Sequence, residues 1–212
     1  MNITHAEEEI VVGDRLEAIF SRQKELMEKY HHIEAKSGLC QTEDCPVNLD
    51  DRRGQARIKD FAWRITEELG EALDASNDLE HNQEELIDGL HFLTELTILV
   101  GRDYNTICSD FSPEDTNEVD YLEMLYSDSI TSSQNNIADF IMNLGMMCNC
   151  LKNKPWKQTQ MITDKNQFYY QLEKTWISYI AILRGAGLTP DDIVNIYLKK
   201  SQVNKFRQRS NY

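Results

Sequence analysis

From Leu86 to Val100 the chain is apolar nearly all round: Leu86, Ile87, Leu90, Phe92, Leu93, Leu96, Ile98, Leu99 and Val100 spread over every side of a helix. Such a helix is stable only when buried on most sides, so the remaining chain has to surround it. Elsewhere apolar residues recur at intervals of three and four, and only four prolines and nine glycines interrupt them. No segment alternates with the period of two that marks a half-buried strand. The expected fold is all-α, a helical bundle.

The pattern predicts a first helix from Asp14 to His32, with Leu16, Ile19, Phe20, Leu26, Met27, Tyr30 and Ile33 on its inner stripe and Gln23 in the middle of it. Ala35 to Gln55 is rich in Gly, Pro, Asn and Asp and is expected to be a long loop. Further helices are expected at Ile58–Ala75, Gln83–Gly101, Asn136–Leu151 and Asn166–Leu183. The last helix has a clear start, with Thr189 as N-cap, Pro190 next and Asp191 and Asp192 in the first turn. Residues 104–134 are polar and interrupted, an insert or irregular connection with a short helix expected after Ser112-Pro113. No internal repeat is evident, and residues 1–212 are expected to form one domain.

A net charge of −14 argues against nucleic acid as a partner, because binding the phosphate backbone relies on Lys and Arg. No run approaches the roughly 18 apolar residues of a membrane helix, and the acidic N-terminus lacks a signal peptide's basic start and apolar core. Five cysteines, an odd number with no CxxC pair, fit free thiols. A cytoplasmic location is expected.

Two acidic pairs stand out. Glu68 with Glu71, and Glu85 with Asp88, are each spaced i, i+3 and so share a helix face. Both pairs are centred on Asp78, which sits in the turn-like segment Ser76–Asn82. An antiparallel hairpin about that turn sets Glu71 level with Glu85 and Glu68 level with Asp88. Four unpaired carboxylates repel one another, and burial adds several kcal/mol. A divalent cation removes the conflict, and all-oxygen ligands favour Mg²⁺, with Mn²⁺ as its substitute. The plainer reading is two solvated acidic faces, with Glu85 completing a capping box on Asn82.

The C-terminal segment has the opposite charge. No Asp or Glu follows Asp192, and Lys199, Lys200, Lys205, Arg207 and Arg209 fall in the last fourteen residues. Tyr197, Lys200, Asn204, Arg207 and Asn211 are spaced three, four, three and four, which aligns them on one helix face. Lys and Arg a turn or two apart can clamp phosphate oxygens. A basic helix end that favours the macrodipole accounts for the charges but not for Tyr197 and Asn204 in the same row.

With ExxE, then ExxD, then YxxKxxxNxxRQxxxY, the chain resembles the all-α nucleoside triphosphate pyrophosphatases, closest to the dimeric dUTPases and the phage-type dCTP pyrophosphatases. The resemblance implies an Mg²⁺-dependent hydrolase in which water attacks the α-phosphorus of dUTP or dCTP, releasing pyrophosphate and the monophosphate. It implies Glu68, Glu71, Glu85 and Asp88 as metal ligands, with Glu67 and Glu68 as the catalytic pair and Glu67 orienting or deprotonating water. Gln23, Tyr197, Lys200, Asn204, Arg207, Gln208 and Tyr212 are implied on the substrate side, and a homodimer is expected. In three respects the chain departs from the family pattern: thirteen residues separate the motifs, closer to the MazG-type branch, no tryptophan lies between them, and Asn211 stands where the family usually has glycine.

Three alternatives remain open. One is a MazG-type pyrophosphatase of other base preference. Another is a di-iron carboxylate bundle, suggested by Asp88 and His91 at i, i+3. The third is an acidic helical interaction protein without catalysis. Gln23 and His91 could equally be core residues, and Met146-Met147 is assigned to packing.

Overall fold

The computed structural model describes residue 3 and residues 6–108, 120–129 and 136–209. Among these the chain is all-α: α1 (Arg15–Ser37), α2 (Arg52–Asp74), α3 (Leu79–Leu99), α4 (Tyr121–Asp128), α5 (Asn136–Cys150), α6 (Lys165–Gly185) and α7 (Pro190–Arg209). Among the described residues no helix is long and apolar enough to cross a membrane.

α3 lies at the centre, packed against α1, α2, α6 and α7. Its all-round apolar character now has its cause: Leu90, Leu93, Leu96 and Leu99 have no exposed surface. α2 and α3 form one hairpin, α5 and α6 a second, and α7 returns across α1 and α3. The α2–α3 turn closes where the sequence placed it. Asp78 caps α3 by accepting from His81 N–H at 3.2 Å, and Asn82 Nδ2 donates back to Ala72 O at 2.6 Å. Glu85 therefore caps nothing.

Several boundaries differ from expectation. α1 runs past His32 to Ser37, where Gly38 closes it in the left-handed region at φ 73°. Its added turn is polar, held because Glu34 accepts from Arg57 at 2.9 Å and Arg64 at 2.7 Å on α2. Ile33, expected inward, is 47% exposed. α2 begins at Arg52, inside the expected loop, because Asp51 caps Arg53 and Gly54 N–H. α3 begins at Leu79, earlier than the expected Gln83. The interrupted segment holds α4, which Asp120 caps from Glu123 N–H. The helix expected after Ser112-Pro113 lies outside the described residues. At α7 the cap is as expected: Thr189 Oγ1 accepts from Asp192 N–H at 3.2 Å, and Asp192 Oδ2 accepts from Thr189 N–H at 2.9 Å.

Candidate metal centre

The α2–α3 hairpin gathers three of the four expected carboxylates. Glu68, Glu85 and Asp88 each present a ligand atom within 4.8 Å of the others, and all three are half-buried. Glu71 does not join them. It lies exposed on α2, because i and i+3 differ by roughly 60° around a helix, and Glu68 takes the inward side. Of the four expected carboxylates the structure thus brings three within ligand distance of one another, with Glu71 at the outer edge of the group and still near enough to raise Glu68.

α7 brings a cation to this triplet. Lys200 Nζ lies 2.6 Å from Asp88 Oδ2 and 3.5 Å from Glu84 Oε2, with its side chain only 13% exposed. His81 Nδ1 lies 3.2 Å from Glu85 Oε1. The charges do not cancel. Burial first, and then repulsion from Asp88, Glu71 and Glu85, pushes the Glu68 carboxyl up to about 8. Burial also raises Asp88, against the pull of Lys200. Burial disfavours the Lys200 ammonium, but Asp88, Glu84 and Glu85 outweigh that and hold its pKa above the usual lysine value.

This donor set fits a hard divalent ion: three carboxylates from two rigid helices, all oxygen, with more negative charge than their neighbours neutralise. Glu67 stands beside the triplet on the solvent side, where its Oε1 accepts from Trp63 Nε1 at 2.8 Å. A cleft of about 530 Å³ opens there, lined by Glu67, Gly70, Glu71, Asp74, Ala75 and His81. Gly89 keeps α3 close to its neighbours. A Cβ on it would sit 2.1 Å from the Tyr179 hydroxyl, which donates to Leu86 O at 2.7 Å.

One helical turn along α3 and α7 lies a buried polar network. Gln23 Oε1 accepts from Tyr197 Oη at 2.7 Å and from His91 Nδ1 at 2.9 Å, and Gln23 Nε2 donates to Glu95 Oε2 at 2.8 Å. His31 Nε2 reaches Glu95 Oε1 at 3.2 Å. Burial holds His91 down to about 3, so the ring is neutral, and its Nε2 has no hydrogen-bond partner. His91 does not join the acidic triplet, which leaves the di-iron pattern without its histidine. A second group, His31, Glu34 and Glu95, comes within ligand distance, but Glu34 is already bound by Arg57 and Arg64.

Of the remaining expected substrate residues, Tyr197 is fully buried in this network and Asn204 is half-buried on α7. Arg207 is exposed, and Gln208 Nε2 donates to Leu26 O at 3.4 Å. Tyr212, like Asn211, lies outside the described residues. The sequence reading missed Glu84, Glu95 and His31. Glu95 carried a usable signal, a charged residue inside the apolar run of α3. Glu84 carried none.

A family model described as dUTPase matches residues 15–212, from the first residue of α1 through every candidate site residue. The chain belongs to the dUTPase family. The match agrees with the all-helical architecture, and membership places the chain among hydrolases that act on nucleoside triphosphates. Comparison with curated proteins and with solved structures gave no match.

Proposed function

We propose that the chain is a divalent-metal-dependent pyrophosphohydrolase of deoxynucleoside triphosphates, acting on dUTP or, as the alternative base, dCTP. The observation that carries this reading is the convergence of Glu68, Glu85 and Asp88 from two antiparallel helices, with Lys200 of the basic helix at the same spot. Mg²⁺, or Mn²⁺ in its place, is the ion this donor set suits, with Glu71 close enough to bear on Glu68. When bound, such an ion supplies charge neutralisation for the polyphosphate and a more acidic water.

The chain's own residues supply the rest. Glu68, Glu85 and Asp88 hold three carboxyl groups together on rigid helices, where a bound cation would favour the ionised form of Glu68. Glu67, its carboxylate steadied by the Trp63 indole, is assigned to orient the attacking water or take its proton. Lys200 and Arg207 are assigned to the phosphate oxygens, with Asn204, Gln208 and Tyr212 alongside on the nucleotide. Gln23 is assigned to the base side; both ends of its amide are already engaged, so it acts by holding Tyr197 in place. A homodimer belongs to the same reading, supported by Ile141, Met142 and Met146, which lie exposed on α5. A strict monomer in sedimentation at micromolar concentration removes that part.

The test is steady-state hydrolysis of each deoxynucleoside triphosphate in Mg²⁺. The expected outcome is turnover highest on dUTP or dCTP and abolished by chelator. Equal turnover of all bases overturns the assigned specificity, and turnover of none overturns the enzymatic reading.

A further inference from the structure

Lys200 stands where a second cation could not comfortably join it. Its ammonium is 2.6 Å from Asp88 Oδ2, and Asp88 is one of the three carboxylates of the metal centre. A hard divalent ion sits about 2.0–2.6 Å from its carboxylate oxygens. An ammonium hydrogen-bonded to the same carboxylate would then lie within a few ångströms of that ion, at a distance where like charges repel strongly in a partly buried site.

The backbone offers no relief. One turn earlier on α7, Tyr197 is fully buried, bonded to Gln23 and stacked on His91 with ring centroids 3.7 Å apart. The next residue, Ser201, is also buried; it donates to Leu198 O at 2.6 Å and accepts from Arg22 at 2.8 Å. Only the flexible four-carbon stem of Lys200 can move. Glu84, at 3.5 Å, is a second anchor outside the metal triplet.

We propose that Lys200 is the resident counter-ion of Asp88 in the metal-free protein and that the incoming divalent ion displaces its ammonium towards Glu84. This rests on the assignment of Glu68, Glu85 and Asp88 as metal ligands. It makes the site ordered. The metal enters first, and its entry frees the cation that then meets the triphosphate. It also gives α7 a function before any nucleotide arrives, because without Lys200 the carboxylates would face one another with less neutralisation.

The inference is tested by Mn²⁺ binding without nucleotide, following free Mn²⁺ by electron paramagnetic resonance, for the wild-type chain, Lys200→Met, Lys200→Arg and Glu85→Gln. Removing a cation that competes for Asp88 should tighten Mn²⁺ binding by about tenfold in Lys200→Met. Lys200→Arg, which keeps the charge, should stay near wild type. Unchanged or weaker binding by Lys200→Met overturns the proposal. A wild type that binds Mn²⁺ no better than Glu85→Gln overturns the metal-centre assignment itself, and the two failures are thereby distinct. The wild-type chain gives an independent readout should Lys200→Met not fold. With ¹³C-labelled lysine, the Lys200 Cε resonance, assigned by its loss in Lys200→Arg, should shift on saturation with diamagnetic Mg²⁺ alone. A resonance that stays in place until nucleotide is added overturns the proposal.

Discussion

Tyr197 and His91 stack with their ring centroids 3.7 Å apart, and both donate a hydrogen bond to one atom, Gln23 Oε1. That shared acceptor ties α1, α3 and α7 together one turn from the carboxylate triplet. It also engages His91 at Nδ1 and leaves Nε2 buried without a hydrogen-bond partner.

A pH dependence follows. Burial lowers His91 from 6.5 to about 3, so the unfolded chain binds a proton that the folded one refuses between those values. The contribution is fully present above pH 6.5 and is lost as pH falls towards 3. Its steepest slope is about 1.4 kcal/mol per pH unit, one proton's worth. His91→Asn, which keeps a donor for Gln23, should show a shallower loss of stability over this range in urea titrations. Parallel pH profiles for the two proteins would contradict the assignment.

Glu68→Gln should act with opposite signs in two buffers. In chelator near pH 7 it removes a half-buried carboxyl that must take up a proton on folding, its pKa being raised from 4.5 to about 8, and the midpoint should rise by about 2–4 °C per kcal/mol relieved. In millimolar Mg²⁺ the wild type should gain stability from ligand binding and the variant should not. Differential scanning calorimetry in both buffers checks this. A variant less stable than wild type in chelator contradicts it.

Gly89→Ala should cost about 1–3 kcal/mol, since the new methyl would meet the Tyr179 hydroxyl at 2.1 Å inside a packed core. Tyr179→Phe removes that hydroxyl and, with it, the bond to Leu86 O. The double variant should therefore be more stable than the two single losses added together, a positive coupling measurable by denaturant unfolding. Simple additivity would show that the contact is not the cause.

Arg15 joins α1 to α4 and α7 through Asp120 at 2.6 Å, Glu123 at 2.8 Å and Asp191 at 2.7 Å. The arginine is mostly shielded, while Glu123 and Asp191 are solvated, so the network is worth about 1–2 kcal/mol rather than the sum of three buried pairs. Arg15→Met should lower amide-exchange protection across residues 121–128 more than across α3. Equal loss in both helices contradicts a local role.

What was legible in the sequence is what local pattern controls. The symmetry of the acidic pairs about Asp78 located the hairpin, and the apolar circumference of Leu86–Val100 located the central helix. Thr189-Pro190 located the start of α7. The misses came from tertiary contacts. The last turn of α1 is polar and exists because Arg57 and Arg64 hold Glu34. α4 spans only eight residues in a polar stretch, too short for periodicity to reveal. Spacing correctly put Glu68 and Glu71 on neighbouring positions, but only the packed hairpin shows which of them turns inward. The contact of Lys200 with Asp88 joins residues far apart in the chain, and no motif spacing encodes it.

The most direct test of the chemistry is phosphorus NMR of dUTP and dCTP turned over with Mg²⁺ in ¹⁸O-labelled water. Attack at the α-phosphorus should release pyrophosphate and place the label in the nucleoside monophosphate. Release of orthophosphate, or label found in the pyrophosphate, would contradict it.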